Sequence, residues 1–375
     1  MNWKIPLFKI FSDETDCDQV NEVIRSGMNW ATGPKVQEFE SDISNYTQRK
    51  YSVTFNSGTS ALHALMLSHG FKPGDEVIVP SFTFISTANS PLFVGAKPIF
   101  ADIEEETYGL DPENVLEKIG PKTRAVMPVH IGGCSCKIRE IAEICSDHNI
   151  TLIEDAAESL GAKNDGEMVG TFGDSAMFSF CGPKVITTGE GGVIVTELKE
   201  LYERLKLIRS HGRAETQDYF STNQYLDYVQ LGYNWRMSNI TAALGISQLK
   251  KIDLVIEKRR ENAAYLTNKL KNIKEINTPV EPEDRYHLFQ MYTIKAEQRD
   301  ELMKHLAEKF GIMAKVYFPP IHHSYFYREI LKTECQLPKT EQAANQVLTL
   351  PMYPQLTTDE MDTIYNAIQS FYSGE

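Results

Sequence analysis

Between about residues 50 and 200, short runs of β-branched and other apolar residues alternate with longer stretches in which apolar residues recur every three or four positions. This alternation is typical of α/β proteins with a largely parallel sheet, because helices follow the strands and cover the sheet. The pattern predicts strands at residues 51–56, 75–80, 97–102, 125–130, 151–155, 176–180 and 192–196. We expect them to form one large seven-stranded sheet.

Amphipathic stretches at residues 60–68, 111–118 and 138–148 are predicted helices that cover this sheet. Two of them have typical openings, Ser57-Gly58-Thr59 and Asp111-Pro112, because a Ser or Asp side chain caps free backbone N–H groups and Pro fits the first helical position. A longer helical pattern follows at residues 239–270.

The last third of the chain has its own mixed pattern. Strands are predicted at residues 290–296 and 313–317, and helices at residues 300–310, 339–347 and 358–372. We therefore expect two domains: a large one with an N-terminal segment, residues 1–250, and a small C-terminal α/β domain, residues 251–375.

Composition excludes several classes of protein. The formal net charge of −13 over 375 residues argues against a nucleic-acid surface, which needs clustered Lys and Arg. No stretch of about eighteen apolar residues predicts a membrane span, and residues 1–14 do not resemble a signal peptide. The six cysteines are interpreted as reduced thiols. We expect a cytoplasmic protein with no nucleic-acid or membrane partner.

The segment 56–62 follows a predicted strand and opens a helix. Backbone N–H groups and hydroxyls converge at such a positive helix end and can bind an anion. A Gly-Thr-Ser turn is also a common helix cap, so the segment alone does not establish an anion site.

Carboxylates end the strand at residues 151–155. In open α/β sheets ligands bind at this edge, and Asp155 could keep a pyridine nitrogen protonated, which makes the ring a better electron sink. An Asp at a strand end can equally cap a helix or bind a metal, and Glu154 or Glu158 alone would fit either role.

Lys184 lies past the predicted strand at 176–180, in a turn that contains Gly182 and Pro183. A lysine beside a bound cofactor can be desolvated and lose its proton readily enough to form a Schiff base. A lone lysine is more often a solvated surface residue, although the apolar and small neighbours here favour burial.

No metal site is predicted. Cys134 and Cys136 lack a second pair of Cys or His ligands. His322 and His323 are adjacent and would point in different directions in a strand.

Taken together, these segments resemble one family. The Asn-Ser-Gly-Thr turn at 56–59, the Glu-Asp-Ala-Ala at 154–157, and Ser-Phe-x-x-x-Lys at 179–184 before Thr-Thr-Gly-Glu-Gly-Gly resemble the DegT/DnrJ/StrS sugar aminotransferases. The resemblance continues through residues 32–36, 74–77, 211–213, 232–238 and 320–322. It implies the type I fold of pyridoxal-phosphate (PLP) enzymes, which is aspartate aminotransferase-like, and PLP as cofactor, with pyridoxamine phosphate as its intermediate form.

The resemblance also implies a role for each matching residue. Lys184 would be the Schiff-base lysine and the acid-base group, and Asp155 would pair with the pyridine nitrogen. The other implied cofactor contacts within the chain are Thr59, Ser60 and Ser179 for the phosphate, Phe84 stacked on the ring, and Glu158 near the ring hydroxyl.

Asn234 matches a residue that reaches the cofactor phosphate of the neighbouring subunit in this family, so a homodimer with shared active sites is implied. The resemblance also implies that Arg236 and His322 contact the nucleotide sugar or the other subunit, and that Trp30, Thr32 and Lys35 line the sugar entrance.

Two positions depart from the family pattern. Glu158 lies where many relatives carry Gln or His, and residues 181–183 replace bulkier residues, often aromatic, before the lysine. Retention of Lys184 argues against the sugar dehydratase branch, which has His at that place.

The predicted reaction transfers an amino group from L-glutamate to a nucleotide-linked keto sugar, most often a 4-keto sugar in this family, in amino-sugar or surface-glycan biosynthesis. The alternatives are a 3-keto nucleotide sugar, a free cyclitol ketone, or a PLP-binding regulator without turnover. The sequence does not determine the nucleotide, the sugar, the ring position or the stereochemistry.

Overall fold

A computed structural model describes residues 3–214 and 222–374 of the chain. Its strands are β1 (Tyr51–Phe55), β2 (Glu76–Pro80), β3 (Lys97–Ala101), β4 (Thr123–Val126), β5 (Thr151–Asp155), β6 (Lys163–Asn164), β7 (Glu167–Met168), β8 (Ser175–Ser179), β9 (Gly192–Thr196), β10 (Ile276–Asn277), β11 (Arg285–Tyr286), β12 (Tyr292–Ala296) and β13 (Val347–Leu350).

The α-helices are α1 (Glu14–Arg25), α2 (Pro34–Thr47), α3 (Gly58–Ser68), α4 (Ile85–Leu92), α5 (Pro112–Lys118), α6 (Ile138–His148), α7 (Lys199–Arg209), α8 (Asn239–Leu249), α9 (Ile252–Leu270), α10 (Arg299–His305), α11 (Pro338–Gln346) and α12 (Thr358–Ser373). Short 3-10 helices form at Ile131–Gly133 and Ile321–His323, and π-helical turns at Leu306–Phe310 and Phe326–Ile330.

Seven strands form the large sheet, in the order β1-β9-β8-β5-β4-β2-β3. Strand β9 runs antiparallel to both of its neighbours, whereas the remaining pairs are parallel. The predicted mixed, mostly parallel seven-stranded sheet is thus confirmed. Parallel strands end at the same edge, so the segments that follow β2, β5 and β8 are brought close together.

Both predicted helix openings are confirmed. The Ser57 side chain accepts a hydrogen bond from the Ser60 amide at 3.1 Å, and the Asp111 side chain accepts one from the Glu113 amide at 3.1 Å. The cap on α3 fixes its N-terminus directly after β1, at the rim of the sheet.

Several predicted elements differ from the structure. Strand β4 ends at Val126 rather than at residue 130, because Pro128 has no N–H to continue the ladder. The helix predicted at 239–270 is two helices, α8 and α9, which are separated by a turn at Lys250 and Lys251.

The strand predicted at 313–317 is wrong. Only Lys315 pairs there, as an isolated bridge to Thr349. The strand that completes the second sheet is instead β13, which pairs with β12 and which the sequence pattern had partly assigned to the preceding helix.

Helix α9 contributes to two hydrophobic cores. Its first half, through Val255 and Ile256, packs with residues of the large sheet such as Phe178. Its second half, through Ala263 and Leu266, packs in a separate core with β12, β13 and α12. The predicted domain boundary between residues 250 and 251 stays a prediction. Within residues 3–214 and 222–374, no helix has both the length and the apolar character needed to cross a membrane.

Candidate active site

A cavity of about 370 Å³ lies at the rim of the large sheet and is also lined by residues of the N-terminal segment and of the C-terminal third of the chain. The rim side of the cavity is lined by Thr59, Phe84, Thr87, Asp155, Glu158, Ser179 and Lys184. The opposite side is lined by Leu7, Phe8, Gln290, Lys315, Tyr317, Phe318 and Met352. Six of the cofactor contacts implied by sequence therefore face one space.

Lys184 is held inside this cavity by a carboxylate. Its Nζ lies 3.2 Å from Oε1 of Glu158, and both side chains are mostly buried. The second oxygen of Glu158 accepts the Gly132 amide at 2.8 Å, which fixes the carboxylate in place. The lysine amine is thus directed into the cavity rather than towards solvent.

Asp155 ends strand β5 and is almost fully buried. Thr87 donates its hydroxyl hydrogen to Oδ2 at 2.7 Å, and the Ala157 amide donates to Oδ1 at 3.2 Å. Burial raises the pKa of Asp155, while the Thr87 hydrogen bond and the charge of Lys184 oppose that rise. A cation placed beside this carboxylate would replace the hydration that burial has removed.

Thr87 is a site residue that the sequence analysis missed. It lies in the first turns of α4, which follows β2 at the same edge of the sheet. The available signal was its position shortly after Phe84, but a Thr in a helix is too common to indicate a contact to Asp155.

Hydroxyl groups surround the N-terminus of α3. The Thr59 hydroxyl lies 2.8 Å from that of Ser86, and the Ser60 hydroxyl donates to Oδ1 of Asn56 at 2.7 Å. A Cβ on Gly58 would lie 3.3 Å from the hydroxyl oxygen of Ser179, so glycine permits the close approach of the two segments. Thr59 and Ser179 line the cavity, whereas Ser60 lies beneath them and is largely buried.

Phe84 is positioned to cover one side of the cavity. It is the N-cap residue of α4 and has 60% of its surface exposed, although it lies in the cavity wall. A large exposed apolar side chain at this place can gain packing from a planar ligand.

A fully buried pair lies behind Asp155. Nε2 of His130 is 3.1 Å from Oε2 of Glu154, whose oxygens also accept the amides of Gly170, Phe172 and Gly173. Burial alone raises the pKa of Glu154, but its hydrogen bond to His130 and these amides hold that pKa below the usual value. Glu154 is thus a structural anchor of the strand end, which resolves one of the alternatives left open by sequence.

Several residues predicted by resemblance lie outside the cavity wall. Trp30 and Lys35 contact the start of α8, because the Trp30 carbonyl accepts the Asn239 amide and the Lys35 amide donates to the Asn239 side chain. Arg236 donates to the Ser210 hydroxyl at 3.1 Å. Thr32 is in the same N-terminal segment as Trp30, and Asn234 forms a backbone bridge with Ser210.

His322 is buried and hydrogen-bonded within the chain. Its Nδ1 lies 2.7 Å from the Ser81 hydroxyl, and its Nε2 lies 3.4 Å from Oε1 of Glu341. The expectation that His322 and His323 diverge as in a strand is wrong, because both belong to a 3-10 helix. One ligand atom from each histidine and one from Glu341 lie within 4.8 Å of one another.

Cys134 and Cys136 are buried and are poor metal ligands. Burial raises the pKa of Cys134 to about 12 and that of Cys136 well above its ordinary value. Both therefore stay protonated near neutral pH, whereas a metal binds the thiolate.

An exposed apolar surface lies beside Asn234. Tyr225 is 83% and Leu231 80% exposed, and Tyr228 and Val229 are also more than half exposed. Soluble monomers rarely expose so many large apolar side chains together. We refer to residues 225–231 as the apolar strip.

The cavity residues fit PLP in their chemistry. A buried carboxylate matches a cationic ring nitrogen, an inward lysine amine matches an aldehyde, and a helix N-terminus with hydroxyls matches a phosphate. These groups are Asp155, Lys184 and the start of α3 with Thr59 and Ser179.

Comparison with known proteins gives consistent results. The model of the DegT/DnrJ/EryC1/StrS aminotransferase family matches residues 11–369. The chain is 36% identical over 372 residues to GDP-perosamine synthase of Escherichia coli O157:H7, which covers 98% of this chain and 99% of that protein. It is 38% identical over 357 residues to a pleiotropic regulatory protein of Geobacillus stearothermophilus, covering 94% of this chain and 93% of that one.

Among solved structures, S. venezuelae DesV in complex with a ketimine intermediate superposes with a TM-score of 0.90. Its sequence identity to this chain is 32%, and the match covers 98% of each chain. The predicted type I fold and the resemblance stated from sequence are confirmed.

Proposed function

Because the chain belongs to the DegT/DnrJ/EryC1/StrS aminotransferase family, we propose that it transfers an amino group from L-glutamate to a nucleotide-linked keto sugar. It is a PLP-dependent aminotransferase. The observation that carries the proposal is the placement of Lys184, Asp155 and the capped start of α3 around one cavity.

When bound, PLP supplies an electron sink that stabilises negative charge on a carbon that has lost a proton. In the proposed roles, ionised Asp155 holds the ring nitrogen protonated, and Thr87 keeps this carboxylate oriented. Thr59 and Ser179 bind the phosphate with the backbone amides at the start of α3, and Phe84 covers the ring face.

Lys184 is the group that removes and returns the proton. An amine does this only when neutral. Glu158 accepts a hydrogen bond from Lys184 Nζ at 3.2 Å and so holds the amine at the cavity wall. The cavity wall formed by Phe318 and Met352 reduces the access of water.

The donor, the nucleotide and the ring position are the finer parts of the proposal. A GDP-perosamine synthase among the relatives supports a nucleotide-linked sugar as acceptor. A cavity of about 370 Å³ has room for the cofactor and a small substrate, so the nucleotide would lie outside it. The 4-keto preference rests on the family alone.

We also propose a homodimer with shared active sites. Asn234 lies outside its own cavity wall, and the apolar strip next to it is exposed. Burial of this strip in a twofold interface would remove apolar surface from water and carry Asn234 towards the other subunit. Arg236 and His322 stay predicted contacts to the nucleotide sugar or the other subunit, and Trp30, Thr32 and Lys35 stay predicted residues of the sugar entrance.

Two alternatives require separate tests. A cyclitol aminotransferase would not bind a nucleoside diphosphate, so calorimetric titration of the protein with UDP, GDP and dTDP distinguishes it. The 38% identity to a protein named as a regulator is a reason to test turnover directly. A regulator without turnover would bind PLP but would not be converted by an amino donor.

The experiment that tests the proposal is visible absorption spectroscopy of the PLP-loaded protein. L-Glutamate should remove the absorption band of the bound cofactor, and one member of a panel of nucleotide-linked 3-keto and 4-keto sugars should restore it. A band that L-glutamate leaves unchanged would contradict the proposed donor.

A further inference from the structure

Lys315 lines the same cavity as the residues that fit the cofactor. Its amide donates to the Thr349 carbonyl at 3.1 Å, and the Thr349 amide donates back to the Lys315 carbonyl at 2.8 Å. This pair of bonds attaches residue 315 to the edge of β13, so its side chain leaves a fixed backbone position.

The two lysines in the cavity wall differ in whether they pair with a carboxylate. Its wall contains three carboxylates, Asp155, Glu158 and Glu190, and two lysines, Lys184 and Lys315. Lys184 is paired with Glu158 and is the lysine that the cofactor would use. Lys315 is therefore the cavity cation that is available for a substrate.

The ammonium group of Lys315 has no carboxylate partner among the residues that the structure describes. Its Nζ lies 4.7 Å from the centre of the Tyr317 ring, a contact that orients the group without neutralising its charge. A cation in this condition gains a charge-assisted hydrogen bond when an anionic oxygen binds.

We propose that Lys315 binds a carboxylate group of the amino donor. The proposal rests on the proposed function, because it assumes an amino-acid donor in this cavity. Every such donor carries at least one carboxylate, and the cavity of about 370 Å³ is within the size range of small-molecule sites. Lys315 would thus determine donor recognition.

The test uses the PLP-loaded protein and the variants Lys315→Met and Lys315→Arg. Lys50→Met is the matched control, since Lys50 also lies over a tyrosine ring, at 5.3 Å from the centre of Tyr51, but outside the cavity wall. Two quantities are measured: the Kd of succinate, a non-reacting dicarboxylate, by calorimetry, and the concentration of L-glutamate that half-converts the cofactor absorption.

Lys315→Met should raise the Kd of succinate and the half-converting concentration of L-glutamate by about tenfold or more, because a charge-assisted hydrogen bond is lost. Lys315→Arg should restore most of the affinity, and Lys50→Met should match the native protein. The half-reaction with the keto sugar should keep its concentration dependence in all variants.

Unchanged succinate binding in Lys315→Met, or no succinate binding by the native protein, would overturn the proposal. A loss confined to the keto-sugar half-reaction would overturn it too, and would assign Lys315 to the diphosphate. If native protein binds succinate through Lys315 but L-glutamate does not change the cofactor absorption, the proposed function fails while the carboxylate site stands.

Discussion

The cavity and the apolar strip differ in how complete they are within one chain. In the cavity, the carboxylates of Asp155 and Glu158 and the amine of Lys184 have partners or neighbours from the same chain. In the apolar strip, large side chains such as Tyr225 and Leu231 are mostly exposed. The polar groups of the cavity are thus placed by one chain, whereas the apolar strip is the surface that we propose a second subunit covers.

This difference separates the contacts that one chain makes by itself from those that are proposed to form on dimerisation. Cofactor chemistry depends on charges placed by the edge of a rigid sheet, which one chain can position by itself. Shared contacts such as the one proposed for Asn234 depend on assembly. Substitutions in the cavity should therefore impair chemistry without changing the oligomeric state, and substitutions near the strip should affect both.

The largest effect is expected for Lys184→Ala. Amino transfer should fall on the order of 10³-fold or more, because both the covalent attachment point and the proton-transfer group are lost. The visible absorption of the bound cofactor should change, while sedimentation should give the same oligomer as the native protein. Residual transfer near the native rate would contradict the assignment.

The cavity was largely predictable from sequence because its residues follow strand ends or open helices. Asp155, Ser57 and Lys184 lie at or within five residues of strand ends that the local pattern places to within one residue. Thr87 and Lys315 were not predictable in this way. Their roles depend on which segments meet across the rim, and the pattern even assigned residue 315 to a strand that does not form.

The next largest effect is expected for Asp155→Asn. Turnover should fall about 10²-fold, since a preorganised charge beside the ring nitrogen is lost. Burial raises the pKa of Asp155, so the protonated form of this group persists to higher pH than in an exposed Asp. Since the ionised form binds the cationic ring, PLP affinity of the apoprotein should rise as pH increases through that pKa.

Fluorescence titration of the apoprotein with PLP across a pH series measures this dependence. Asp155→Asn should flatten it, because the amide does not titrate. A variant that keeps the native pH dependence would assign the effect to another group.

Dimers formed from two different variants test whether Asn234 serves the active site of the other subunit. Their expected recovery of activity is partial. Asn234→Asp should repel the cofactor phosphate and impair turnover. If Asn234 serves the neighbouring site, an equal mixture of Lys184→Ala and Asn234→Asp subunits should regain about one quarter of native activity after subunit exchange, because half of the dimers are mixed and each has one native site. No recovery after demonstrated exchange would place both residues in the same site.

The sequence of the apolar strip does not indicate which of its side chains are exposed. In the structure, Tyr225 and Tyr228 are more than half exposed. In contrast, Tyr233 and Trp235 stack on each other with ring centres 3.9 Å apart. No local pattern distinguishes these two pairs, because exposure depends on which elements pack over each residue.

The smallest effect is expected for Phe84→Leu. The ring of Phe84 is exposed in the protein without cofactor, so its removal costs little in folding and acts mainly on the bound state. Loss of stacking should weaken PLP binding by about three- to tenfold, since aromatic pairs contribute roughly 0.5–1.5 kcal/mol beyond area burial.

Phe93→Leu is the matched control, because Phe93 caps the other end of α4 and is 46% exposed. Equal PLP affinities in the two variants, measured by equilibrium dialysis, would show that Phe84 does not contact the cofactor ring. A weaker PLP affinity in Phe84→Leu alone would support a contact between Phe84 and the cofactor. Asn234 would then be the one proposed cofactor contact that comes from the other subunit.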